Sequence, residues 1–203
     1  MSKIACKRKN STIMNLNPTR VLLFGFILLI LIGSFLLMLP YASKNGQSIS
    51  FIDALFTATS ASCVAGLVVA DTYTQWSLFG QIIILLLLQI GAVGIITFTA
   101  FFTAVLGKKM SLRGMLLAQE SLNTFSFDGI IKILRTVVFV LIWIELLGAL
   151  LLSIAFVPEF GVKGLYYGLF HSISAFCNSG FDLMGVRGAE GLTSFMAYNN
   201  NPL

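Results

Sequence analysis

The sequence carries little charge. Only 10% of its 203 residues are Asp, Glu, Lys or Arg, and 57% are hydrophobic, whereas a soluble domain has about 25% charged residues. The mean hydropathy is correspondingly high, at +0.93. Too few polar residues are present to cover a soluble core of this size. The composition therefore predicts an integral membrane protein.

Cysteine and histidine are also scarce. The three cysteines are odd in number and widely spaced, which excludes the disulfide framework of a small secreted protein. A bridge between Cys63 and Cys177 is left open but disfavoured, because their matching positions suggest small buried packing residues. His171 is the single histidine, and a packing role is favoured over metal binding. No His-Glu-x-x-His pattern occurs, so we expect neither an intramembrane enzyme nor an organic cofactor.

Three long apolar runs are present. We predict membrane spans over Val21–Leu39, Leu78–Leu106 and Thr136–Val157, the first ended by Pro40 and the third closed by Pro158. Each run approaches or exceeds the roughly 20 residues that cross a bilayer. The first is longer than the apolar region of a signal peptide, about 7–15 residues. We therefore interpret it as a retained helix.

A short phrase occurs twice between these runs. Residues 56–67 read FTATSASCVAGL and residues 170–181 read FHSISAFCNSGF, with Phe, Ser-Ala, Cys and Gly in the same register. Each phrase ends a predicted helix too short to span, from a Ser50 cap to about Ala61 and from about Gly164 to Ala175. Irregular backbone at membrane depth is tolerated where it lines a cavity. The repeat therefore predicts a pore.

The basic residues predict the orientation. Ten of the thirteen Lys and Arg lie in the amino-terminal tail or between the second and third spans, namely Lys3, Lys7, Arg8, Lys9, Arg20, Lys108, Lys109, Arg113, Lys132 and Arg135. The positive-inside rule places both segments in the cytoplasm. We thus divide the chain into a cytoplasmic tail (1–20), a first repeat (21–106), a cytoplasmic connector (107–135) and a second repeat (136–203) that lacks its closing span. The net charge of +5 reflects this topology, and no nucleic acid is expected.

Both phrases resemble filter regions of the Trk/Ktr/HKT potassium transporters, and LQIGAVGI at residues 88–95 resembles the second span of their first repeat. Within that family the chain looks most like the membrane subunit of the bacterial Ktr system. The resemblance implies an all-α membrane protein of potassium-channel-like span–pore helix–filter loop–span repeats, with the second repeat truncated here. It also implies a multi-pass protein of the plasma membrane, a homodimer of the full-length subunit, and a cytosolic nucleotide-binding ring as partner.

Potassium is the transported ion that we expect, driven by the membrane potential, while sodium coupling is left open. Our hypothesis is that main-chain carbonyls replace its hydration shell, those of Cys63, Val64, Ala65 and Gly66 and those of Cys177, Asn178, Ser179 and Gly180. Glycine reaches the backbone conformations that this requires. Ordinary turn glycines are the disfavoured alternative. If the chain is complete as written, a nonconducting scaffold or regulatory subunit becomes the alternative function.

Four acidic residues need separate interpretation. Glu145 lies mid-span, where a structural hydrogen bond to a neighbouring helix is favoured over a role in the ion pathway. Asp53 is best explained as a helix cap. Asp71 and Asp182 either attract cations to the outer mouth or are solvated loop acids. The aromatic residues Tyr73, Trp76, Tyr166 and Tyr167 are interpreted as interfacial anchors.

Overall fold

The fold is described by a computed structural model that covers residues 18–106 and 127–187. The α-helices are α1 (Pro18–Met38), α2 (Phe51–Ser62), α3 (Thr72–Gln75), α4 (Leu78–Leu106), α5 (Phe127–Phe160) and α6 (Lys163–Phe176), with 3-10 turns at Pro40–Ala42 and Met184–Arg187. No β-strand occurs in these two ranges. The described part of the chain is therefore helical, as the family resemblance implies.

The helix bounds agree with the sequence except at α5. That helix begins at Phe127, upstream of the predicted start at Thr136, and continues through Pro158 to Phe160. The prediction that Pro158 closes it is wrong. A proline lacks the N–H that would bond the main-chain oxygen four residues earlier, so the helix loses one hydrogen bond. Only two residues of α5 follow Pro158, and the helix continues through them. The tail and most of the predicted connector lie outside the described residues, so the domain boundaries stay predictions.

Within residues 18–106 and 127–187, two helices are apolar and long enough to cross a membrane. They contain Leu78–Ile95 of α4, with a mean hydropathy of 2.3, and Arg135–Phe160 of α5, with 2.7. The apolar part of α1, Leu23–Met38, is shorter than the predicted first span. More than half of the surface of several large apolar side chains on α5 is exposed, those of Phe139, Trp143, Leu147, Leu150 and Ile154. An apolar face of this size suits lipid rather than water.

Small residues hold the short helices against the long ones. A Cβ atom on Gly91 of α4 would overlap the main chain of Ser62 at the end of α2, and one on Gly164 of α6 would overlap the main chain of Phe156 in α5. Such close approach is typical of helices packed within a membrane. The carboxyl end of α2 and the amino end of α6 are thereby fixed in position, and both helices lead into one of the repeated glycines.

Polar residues cap two of the short helices. Ser50 Oγ accepts a hydrogen bond from the Asp53 N–H at 3.4 Å at the start of α2, as the sequence predicts. Asp71 Oδ1 accepts one from the Thr74 N–H at 2.7 Å and begins α3, which the sequence analysis missed. Such caps satisfy the N–H groups that a helix leaves unpaired at its start.

Candidate functional site

The first repeated phrase forms a turn directly after α2, here called the first turn (residues 63–66). Within it the main chain has a positive φ at Val64 (57°) and at Gly66 (74°). The Ala65 N–H donates back to Ser60 O at 2.9 Å. This bond, together with the left-handed residue before it, is the Schellman arrangement that ends a helix.

The second phrase forms a turn of the same geometry after α6, here called the second turn (residues 177–180). Positive φ values occur at Asn178 (54°) and Gly180 (73°). The Ser179 N–H donates back to Ser174 O, also at 2.9 Å. Residues of the two phrases that share a register position therefore share a backbone conformation.

The sign of φ alternates along each turn. In the first turn Cys63 has a φ of −89°, and positive values follow at Val64 and Gly66, with Ala65 not among the positive residues. Alternating handedness can converge N–H groups into an anion-binding nest, but here the N–H groups of Cys63, Val64 and Ala65 already donate to main-chain oxygens of α2. A row of carbonyls can replace the hydration shell of a monovalent cation without adding net charge.

Val64 is strained in this conformation. A β-branched residue at positive φ is a genuine outlier, and the left-handed region costs a residue with a Cβ about 1–2 kcal/mol. The equivalent residue of the second turn is Asn178, which tolerates that region more easily. Backbone strain of this kind is concentrated at functional sites.

The two turns meet at their glycines. A Cβ atom on Gly66 would overlap the main-chain oxygen of Ser179, whereas one on Gly180 would lie 3.9 Å from Gly66 Cα. Of the eight predicted site residues, Cys63, Ala65, Asn178 and Gly180 are exposed, Val64 and Gly66 are half-buried, and Cys177 and Ser179 are buried. Tertiary packing thus brings Gly66 of the first turn against Ser179 and Gly180 of the second.

The cysteines of the two turns are free thiols, in agreement with the disfavoured bridge. Cys177 is buried, but Cys63 is exposed, so the expectation that both are buried packing residues is wrong for Cys63. The described residues contain no group of three or more His, Cys, Asp and Glu side chains that could hold a metal ion.

Glu145 of α5 makes the interhelical bond that the sequence favours. Its side chain is 4% exposed, and Gln89 Nε2 of α4 donates to its Oε2. Its main-chain oxygen accepts a hydrogen bond from Ser172 Oγ of α6 at 2.7 Å. Among the described residues, Oε1 has no hydrogen-bond partner. Glu145 of α5 is therefore bonded to both α4 and α6.

The side chain of His171, a residue of α6, is buried and bonds this helix to the chain after the second turn. The ring is 2% exposed, Nδ1 lies 2.7 Å from Tyr167 O, and the Leu183 N–H donates to Nε2 at 3.1 Å. Since Nε2 accepts, Nδ1 carries the proton. This geometry agrees with the predicted packing role.

Two of the predicted interfacial anchors are core residues instead. Trp76 and Tyr167 are only 3% and 4% exposed. Tyr166 donates its hydroxyl proton to Gln81 Oε1 of α4 at 2.9 Å, and Gln81 Nε2 donates to Trp76 O at 3.0 Å. The prediction that Trp76 and Tyr167 anchor helix ends at the membrane surface is therefore wrong. The sequence cannot distinguish a helix end at the membrane surface from one that is covered by another helix.

The carboxyl groups of Asp71 and Asp182 each accept a hydrogen bond from a nearby main-chain N–H. Asp71 caps α3, and Asp182 Oδ1 accepts from the Met184 N–H at 2.9 Å. Burial is the largest influence on Asp182 and raises its pKa above the ordinary value; the Met184 bond opposes this rise, and the charge of Asp71 adds to it. Asp71 also lies against the chain after the second turn, since a Cβ atom on Gly185 would overlap its carboxyl group.

The sequence is similar to known cation transport proteins. The TrkH family model, described as a cation transport protein, matches residues 2–203. Ktr system potassium uptake protein B of Bacillus subtilis is 48% identical over 82% of this chain and 37% of its own length. Potassium/sodium uptake protein NtpJ of Enterococcus hirae is 43% identical over 84% and 38%. Ktr system potassium uptake protein B of Vibrio alginolyticus is 40% identical over 91% and 39%.

The chain spans less than two fifths of the length of each of these relatives. Its own sequence, by contrast, is matched almost from end to end by the family model. The resemblance first seen in the two glycine phrases and in residues 88–95 is confirmed by this match. The chain belongs to the TrkH family of cation transport proteins.

Proposed function

We propose that this chain lines part of a potassium uptake pathway, in which the main-chain carbonyls of the first and second turns bind the ion. The observation that carries the proposal is the contact between the two turns, each with alternating signs of φ, at Gly66 and Gly180. Two turns without a common role are not expected to share a backbone conformation and also to contact each other. A common ion path accounts for both observations.

The helices that precede the turns support this role electrostatically. α2 and α6 both end where a turn begins, so each directs its carboxyl end toward the proposed path. That end carries a partial negative charge, which favours a cation. Neutral carbonyls and helix ends together attract potassium without holding it as tightly as a carboxylate would, so the ion can leave again.

The same proposal assigns the helices to repeats. In it, α1, α2 and α4 are the span, pore helix and span of the first repeat, and α5 and α6 begin the second. The basic tail and connector lie in the cytoplasm by the positive-inside rule. Both pore helices then enter from outside, and a negative-inside potential drives the ion inward with about 2.3 kcal/mol per charge per 100 mV.

The full-length subunit and its partners belong to the same proposal. Because the relatives are more than twice as long as the matched region, further repeats would complete the ring around the pore. The names of two relatives refer to a Ktr system, which favours a homodimer on a cytosolic nucleotide-binding ring. The name potassium/sodium uptake protein favours sodium as a coupled or co-transported ion.

The test is rescue of growth at low potassium in uptake-deficient cells by the complete open reading frame that contains this sequence. We expect rescue by the wild type and, for Gly66→Ser, weaker discrimination of potassium over sodium. Gly25→Ala is the matched control, since no atom lies within 4 Å of a Cβ at Gly25. No rescue by protein that reaches the membrane would instead support a nonconducting scaffold or regulatory subunit.

A further inference from the structure

A serine side chain braces the second turn. Ser174 Oγ donates a hydrogen bond to Phe181 O, and it lies 3.0 Å from Ser179 Oγ. Ser179 Oγ in turn is 3.2 Å from Ser174 O. Both serines are almost fully buried, at 3% and 1% exposure, so water does not compete for these bonds. The end of α6 and the two sides of the turn are therefore tied together by hydroxyl groups.

The first turn has the matching serine without its partner. Ser60 occupies the position equivalent to Ser174, and its buried Oγ has no hydrogen-bond partner among the described residues. Ala65 stands where the second turn has Ser179, so the second hydroxyl is missing. Leu67, the counterpart of Phe181, is 61% exposed, whereas Phe181 is 2% exposed. Leu67, directly after the first turn, is therefore not fixed by burial as Phe181 is.

A second brace is also confined to the second turn. His171 Nε2 accepts a hydrogen bond from the Leu183 N–H beyond the turn. Thr57 is its counterpart in α2, and Thr57 Oγ1 bonds at 2.8 Å to Asp53 O within its own helix. Thr57 therefore makes no equivalent link to Val69, the counterpart of Leu183, in the described chain.

We propose that Ser174 is a positioning residue that stiffens the second turn, and that Ala65 leaves the first turn compliant, so that residue 65 limits how strongly the path discriminates potassium from sodium. This inference rests on the proposed function. Sodium is the smaller ion, so carbonyls must move inward to coordinate it. A braced turn resists that movement, whereas an unbraced turn follows it.

Substitutions in the complete reading frame can transfer the brace. Because Ala65 and Ser179 have the same main-chain bond and register, Ala65→Ser should place a hydroxyl within reach of Ser60 Oγ. Ser60→Ala alone is the matched control, because it removes a hydroxyl that bonds to nothing in the described residues. Ser174→Ala removes the natural brace. If that variant fails to fold, the pair at residues 60 and 65 still provides the test.

Two measurements read the result. Hydrogen–deuterium exchange of the purified protein reports the stiffness of each turn without any transport. The ratio of potassium to sodium uptake reports discrimination. We expect slower exchange at the Ser179 amide than at the Ala65 amide. In Ala65→Ser, exchange at residue 65 should slow by about two- to tenfold, the equilibrium effect of one hydrogen bond, and the ratio should rise by a similar factor.

A double variant tests whether the hydroxyl groups at residues 60 and 65 act together. Adding Ser60→Ala to Ala65→Ser should return both readouts to wild-type values, and Ser174→Ala should speed exchange at the second turn and lower the ratio. Equal exchange of the two turns in the wild type would overturn the brace, as would a gain in Ala65→Ser that survives loss of Ser60. Slower exchange with an unchanged ratio would overturn the link to discrimination. Absence of any potassium uptake would refute the proposed function, whereas exchange would still decide the brace.

Discussion

Replacing each turn glycine by alanine should affect the two turns unequally. Gly66 and Gly180 have nearly the same positive φ, 74° and 73°, so an added Cβ incurs the same backbone penalty, about 1–2 kcal/mol. Their surroundings differ. At Gly180 the nearest atoms to the new Cβ are 3.9 Å away, an ordinary contact, whereas at Gly66 it would overlap the main-chain oxygen of Ser179.

The overlap at Gly66 cannot be relieved by a rotating side chain, because the obstructing atom belongs to the main chain. Overpacking of this kind costs about 1–3 kcal/mol. We therefore expect Gly180→Ala to destabilise the protein by about 1–2 kcal/mol and Gly66→Ala by about 2–5 kcal/mol. The difference measures the contact between the turns separately from the backbone strain that both variants share.

Denaturation of the two purified variants in detergent, compared with the wild type, gives the free energies of unfolding. Potassium uptake by the same variants shows whether the contact also matters for transport, and we expect the larger loss for Gly66→Ala. Equal destabilisation of the two variants would refute the contact between Gly66 and the second turn. A neutral Gly180→Ala would refute the left-handed backbone at that residue.

Substitutions at Glu145, Gly91 and Tyr166 probe the packing around the turns. Glu145→Gln keeps an acceptor for Gln89 and should retain uptake and stability. Glu145→Leu leaves the Gln89 donor unpaired and should lower the unfolding free energy by about 1–3 kcal/mol. Loss of uptake by well-expressed Glu145→Gln would contradict a structural role. Gly91→Ala should destabilise by about 1–3 kcal/mol, since its Cβ would meet the end of α2, and an unchanged melting temperature would count against this contact. Tyr166→Phe should lower the unfolding free energy by about 0.5–1.5 kcal/mol through loss of the bond to Gln81. Added to Gln81→Ala, the same substitution should cost little beyond the loss caused by Gln81→Ala alone, and full additivity would argue against the bond.

The errors of the sequence analysis have local physical causes. Pro158 was predicted to close the third span, but near a helix end a proline disrupts little, so α5 continues to Phe160. Trp76 and Tyr167 were assigned to the membrane surface because aromatic residues next to spans are common there. Their burial depends on neighbours that the sequence pattern does not reveal. α3 was missed because one short turn has no apolar period of its own.

The sequence by itself determined the presence of every described α-helix except α3, the two short helix–glycine phrases and the family, because hydrophobic length, helix-ending glycine and register are local properties of the chain. Tertiary structure alone decided that Gly66 touches the second turn, that Gln89 bonds Glu145, and that Ser174 is braced while Ser60 is not. These contacts join distant residues or depend on the direction of a side chain. Packing sets both, and the same serine in the same phrase can therefore be bonded in one copy and unpaired in the other.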